Sequence, residues 1–112
     1  MTVRPPQFSA AKLWSRNPAA ALDYEIAQEK ASALGRLGRA LEAALDRLRA
    51  FDAQNPEVTA DLRAGRKALV AEAGRALWLF VVQRESIGLR DTRSLMRDYR
   101  VPGEVQNRMG AF

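Results

Sequence analysis

Between residues 18 and 51 apolar side chains recur at three- and four-residue steps: Leu22, Ile26, Ala33, Leu37, Leu41, Ala44, Leu48 and Phe51, with Leu34 and Leu45 widening the stripe. That spacing predicts a single amphipathic helix over 18–51. Val58, Leu62, Leu69, Ala73, Ala76, Leu77, Phe80 and Ile87 repeat the pattern and predict a second helix over 56–87, which Gly88 would stop. Each pattern follows an Asn-Pro pair, Asn17-Pro18 or Asn55-Pro56. Asparagine satisfies backbone N–H groups at a helix start, and proline at the first helical position sacrifices no hydrogen bond there. Beyond Gly88 the periodic stretches shorten. Asp91 would cap a helix over 92–99, and Pro102 would open a last one over 102–109. The expected fold is therefore all-α: a long antiparallel hairpin plus two short C-terminal helices. One helical domain would span 18–112, preceded by a flexible arm over 1–17 in which Pro5-Pro6 and three positive charges interrupt any period.

If the chain turns at 52–55, residue i of the first helix lies across from about residue 107−i of the second, which sets Ile26 near Val81, Leu37 near Val70 and Leu45 near Leu62. The same register places Asp23 opposite Arg84, two charges inside apolar stripes, and predicts a buried ion pair between them. Lys30 and Arg66 are further charges inside the stripes. Two helices do not cover stripes this broad, and the segment after Gly88 looks too short to reach the loop end. Leu48, Phe51, Val58 and Leu62 there, with Trp78 and Val82 in the all-apolar run 77–82, are expected to be core or to meet a second subunit. Gly35, Gly38, Gly65 and Gly74 within the helices suggest close approach of another helix. A homodimer forming a four-helix arrangement satisfies both features.

Composition narrows the chemistry. The chain has neither cysteine nor histidine, which removes disulfides, thiolate and imidazole metal ligands, cysteine nucleophiles and the usual general base. Asp23, Glu25 and Glu29 cluster on the first helix, but a di-metal bundle site also needs a Glu-x-x-His element. No catalytic, cofactor or metal residue is assigned, and an enzyme is not expected. No apolar stretch approaches the roughly 20 residues of a membrane span, and the N-terminus lacks a signal-peptide pattern, so a cytoplasmic protein without membrane contact is expected. The net charge of +5 sits mainly at the two ends of the chain.

At the C-terminal end, Arg90, Arg93, Arg97 and Arg100 fall toward one side of the short helix and its lead-in, opposite Leu95 and Tyr99. Such a row suits phosphates or an acidic protein surface, although Asp91, Asp98 and Glu104 would partly neutralise it. Helix, short turn, short helix also invites comparison with a DNA-binding helix-turn-helix, in which Gln106, Asn107 and Arg108 would face base edges. Against that reading, Val101 and Val105 are four apart where the motif separates its buried residues by five, and the last helix has only about two turns. The leading expectation is thus a non-enzymatic helical protein–protein interaction module working as a homodimer. The alternative is a small nucleic-acid-binding regulator with a degenerate helix-turn-helix. Phe8, Leu13 and Trp14 would let the arm fold back or dock a partner.

One resemblance bears on this choice. The stretch Gln83-Arg84-Glu85, then Gly88-Leu89-Arg90-Asp91, then residues 97–110 from Arg97-Asp98-Tyr99 through Asn107-Arg108-Met109-Gly110, resembles the C-terminal signature of a family of small all-helical bacterial proteins of unknown function. Residues 31–36 are similar to that family's first helix. The resemblance implies a bacterial cytoplasmic protein and brings no substrate, cofactor or catalytic residue with it.

Overall fold

The structure, a computed structural model, describes residues 17–111; the expected arm, apart from Asn17, lies outside them. Four helices follow in order: α1 Pro18–Gln54, α2 Ala60–Ser86, α3 Thr92–Asp98 and α4 Gly103–Arg108, with no strand among the described residues. The all-α class and the plan of two long helices and two short ones are as the periodicity predicts.

The helix ends show which start signals operate. Asn17 caps α1, its Oδ1 accepting from the Ala20 N–H at 3.2 Å. Asn55 does the opposite: its Nδ2 donates to the Phe51 carbonyl at 2.9 Å, and its backbone N–H donates to the same oxygen. Asn55-Pro56 therefore closes α1 instead of opening α2, and proline there only bars the helix from continuing. Thr59 takes the N-cap position of α2 without a side-chain cap bond, and Asp61 supplies a carboxylate to the first turn. At the other end Gly88 has φ +90°, the Leu89 N–H donates to the Arg84 carbonyl, and the Gly88 N–H donates to that of Glu85. This is the paired-bond left-handed stop that a missing Cβ makes cheap. Asp91 caps α3 through the Ser94 N–H at 3.0 Å, and Pro102 stands at the N-cap of α4.

The described residues fall into two compact units that divide between residues 32 and 33, inside α1. In the first unit the side chains from Leu22 to Ser32 are all exposed, Leu22 at 57% and Ile26 at 43%, and Gln28 donates to the Tyr24 hydroxyl. These two residues were expected in the core stripe.

In the second unit, α1 from residue 33 onward packs antiparallel on α2. Arg47 pairs with Glu72, Asp52 pairs with Arg66, and a Cβ on Gly38 would stand 3.3 Å from the Phe80 ring. Those pairs set residue i opposite roughly residue 118−i, three helical turns away from the 107−i expected. Most of the shift follows from the ends just described: α1 runs on to Gln54 and α2 begins only at Ala60. Arg84 is accordingly level with about residue 34. Leu41, Ala44, Leu45 and Leu48 of α1 meet Val70, Ala73, Leu77, Phe80 and Val81 of α2, and Leu95, Val101 and Val105 close the core from the C-terminal side. The run 77–82 is not buried all round. Leu77, Phe80 and Val81 are buried, whereas Trp78, Leu79 and Val82 are 38–43% exposed.

Candidate interaction surface

The C-terminal segment reaches further along α2 than its length suggests. At Gly74 a Cβ would stand 2.8 Å from the Arg108 Cβ and 3.2 Å from the Arg108 carbonyl, so α4 lies backbone to backbone on α2. Gly38 has a similar role, with the Tyr99 hydroxyl at 3.1 Å from where its Cβ would be. Two of the four glycines inside α1 and α2 thus mark close approach, and the approaching elements belong to the same chain. A Cβ on Gly65 would meet nothing within 4 Å, and one on Gly35 only the Arg39 side chain.

From its seat on α2, α4 sends Glu104 to the loop end. Arg66 Nη1 and Nη2 donate to the two Glu104 oxygens at 2.8 and 2.6 Å, while Nε and Nη2 donate to the Asp52 carboxylate at 2.9 and 3.1 Å. One guanidinium therefore ties the end of α1, the start of α2 and the first turn of α4 together, using the planar fork that only arginine offers. Hydrogen bonding to Arg66 holds both carboxyls below their usual range, and bonding to Glu104 and then Asp52 keeps Arg66 charged. The sequence marked Arg66 as a charge inside the apolar stripe; its two partners lie too far off in the chain for spacing to reveal. Leu48 is accordingly buried by its own chain, Phe51 and Leu62 are half-buried, and Val58 remains 39% exposed. The expectation that no C-terminal element reaches this end is overturned.

The residues proposed to read bases are largely engaged. Gln106 donates to the Val101 carbonyl at 2.9 Å, and half-buried Arg108 lies against Gly74 with its Nε enclosed. Asn107 is exposed. Arg90, Arg93, Arg97 and Arg100 are all exposed; Arg97 bonds the Ser94 hydroxyl and pairs loosely with Asp98 at 3.8 Å. Arg100 has φ 51° and acts as the left-handed stop of α3, with the Val101 N–H donating to the Met96 carbonyl. Arg49 donates to the carbonyls of Tyr99 at 3.0 Å and Arg100 at 3.3 Å, holding this turn to α1. Asp23 is exposed and Arg84 is half-buried, its guanidinium 5.6 Å from the Phe80 ring centre, so neither is a buried charge.

Two open hollows flank these contacts in the second unit. One, of about 550 Å³, is lined by Glu42, Leu45, Asp46, Arg49, Asp98, Tyr99 and Arg100; the other, of about 430 Å³, by Val58, Arg63, Arg66, Lys67, Val70 and Glu104. Neither pairs a nucleophile with a base. Among the described residues, no group of three or more carboxylates is placed to hold a metal ion, and no helix is long and apolar enough to cross a membrane.

A family model describing a family of unknown function, DUF6665, matches residues 13–112. The chain belongs to DUF6665. The match covers the C-terminal signature and all four helices, so the Arg66 clamp and the seat of α4 on α2 lie within the family's boundaries. For this DUF6665 member no curated protein and no solved structure matches.

Proposed function

We propose that this DUF6665 chain is a non-enzymatic helical module that binds protein, and that it acts as a homodimer in the bacterial cytoplasm. The observation that carries the reading is the exposed apolar side of α2, where Leu79 and Val82 are 39% and 43% exposed beside Trp78. Residues three apart on a helix are neighbours, so these side chains form a patch instead of scattered single exposures. Leu22 and Ile26, four apart on α1, form another. The lack of histidine and cysteine, and hollows without a nucleophile beside a base, support a binding role over catalysis.

Molar mass by light scattering across a concentration series tests it. Twice the chain mass is expected at high concentration, and Leu79→Asp with Val82→Asp is expected to return the monomer with unchanged helical circular dichroism. A single-chain mass throughout refutes the homodimer. The exposed row of Arg93, Arg97 and Arg100 favours a second reading, an acidic polymer as partner. A duplex DNA probe that binds at low salt and is released steeply as salt rises would support it, provided that alanine at all three arginines abolishes the binding.

A further inference from the structure

In the hollow lined by Val58, Val70, Arg63, Lys67 and the Arg66–Glu104 pair, Arg66 is already bonded to Asp52 and Glu104. Arg63 and Lys67, one turn apart on α2 and exposed, make no ion pair among the described residues. The hollow thus presents valine surface beside two cations at i and i+4. What complements it is a helix with aliphatic side chains one turn apart, flanked by carboxylates at the same interval. Residues 18–32 have that character. Leu22 and Ile26 are exposed, Glu25 and Glu29 flank them one turn apart, and the segment carries three carboxylates against one lysine.

We propose that the 18–32 segment of one copy docks in this hollow of a second copy, Leu22 and Ile26 against Val58 and Val70, and Glu25 and Glu29 toward Arg63 and Lys67. The proposal rests on the homodimer reading and adds to the Leu79 and Val82 patch of α2 a second contact between the copies. Apolar burial drives the docking, while the half-solvated charge pairs fix which segment enters and in what direction.

Charge reversal in the full chain tests the pairing. Arg63→Glu with Lys67→Glu leaves an acidic hollow facing an acidic segment, and Glu25→Lys with Glu29→Lys leaves both basic. Each double variant is expected to weaken dimerisation by roughly tenfold or more at low salt. A one-to-one mixture of the two restores complementarity at both contacts and is expected to associate as the natural chain does. Arg63→Gln with Lys67→Gln, milder for folding, is expected to weaken it less, with melting temperature unchanged. If the natural chain dimerises and the reversed variants dimerise equally well, or the mixture fails to recover, the docking site is refuted and the homodimer stands. Concentration-independent contact between segment and hollow within one chain also refutes it. A natural chain that stays monomeric refutes the homodimer reading and this proposal with it.

Discussion

Gly74 and Arg108 touch through their backbones, and that contact seats the last helix on the core. A methyl group at position 74 would stand 2.8 Å from the Arg108 Cβ and 3.2 Å from its carbonyl carbon and oxygen, and backbone atoms cannot swing aside as a long side chain can. Gly74→Ala should therefore destabilise the domain by about 1–3 kcal/mol, the usual range for overpacking, reduced by the better helix propensity of alanine. Gly65→Ala, on the same helix with nothing within 4 Å, should stabilise it by about 0.5–1 kcal/mol. Chemical denaturation of the two variants checks the opposite signs. Equal effects would mean that α4 does not rest at Gly74.

Arg66 gives the fold an acid-sensitive tie. Asp52 and Glu104 are held below their ordinary range by hydrogen bonds from Arg66, so their contribution is complete above the unfolded carboxylate pKa of about 4 and is lost as pH falls through the lowered folded values. Melting temperature should be level from pH 7 to about 5 and decline below about 4. Arg66→Met removes the cation and leaves two carboxylates facing one another. It should cost about 1 kcal/mol near neutrality, because both carboxylates are half-exposed and screened. The same variant should blunt or invert the acid decline, since protonation then relieves repulsion. A pH series of thermal melts on both proteins reads both effects.

Arg100 is the one non-glycine residue with positive φ among those described, at 51°, in the position where Gly88 stops α2. A side chain in the left-handed region carries a penalty of roughly 1–2 kcal/mol that glycine avoids. Arg100→Gly should stabilise the native state by about 0.5–1 kcal/mol, after allowance for the greater freedom of glycine in the unfolded chain. Thermal denaturation checks it. If Arg100 also contacts a polyanion, the same variant loses affinity while gaining stability, which separates the two roles.

Element type was legible because period and caps agree: the α1 stripe starts at a working Asn17 cap, Gly88 ends α2, and Asp91 starts α3. Register was not, because it depends on where one turn begins, and a shift of three turns still sets apolar residues together in the middle of the stripe, Leu37 by Val81, Leu41 by Leu77 and Leu48 by Val70. The charged pairs Arg47–Glu72 and Asp52–Arg66, with the approach of Gly38 to Phe80, distinguish the two alignments. The C-terminal cover was hidden for a related reason. Gly74 announces a close approach but not by what, and both Arg108 and Glu104 are some thirty or more residues away in sequence from the groups they meet.

Asn17 and Asn55 look alike in the sequence, each followed by proline, yet they use opposite ends of the amide. Asn17 accepts through Oδ1 from the Ala20 N–H, whereas Asn55 donates through Nδ2 to the Phe51 carbonyl. Replacing the amide by a carboxylate keeps the acceptor and removes the donor, so the same substitution should have opposite consequences. Asn17→Asp keeps the cap and adds a negative charge at the positive end of the helix dipole; stability should be unchanged or rise by a few tenths of a kcal/mol. Asn55→Asp loses the bond to Phe51 and sets a carboxylate against a carbonyl oxygen at the negative end of α1, at a cost of about 1 kcal/mol or more. Amide hydrogen exchange localises the two effects: faster exchange is expected at the Asn55 N–H in the second variant, with the Ala20 N–H unaltered or slower in the first. Equal responses from the two variants would show that both pairs do the same job, and would return the turn to the position that periodicity alone suggests.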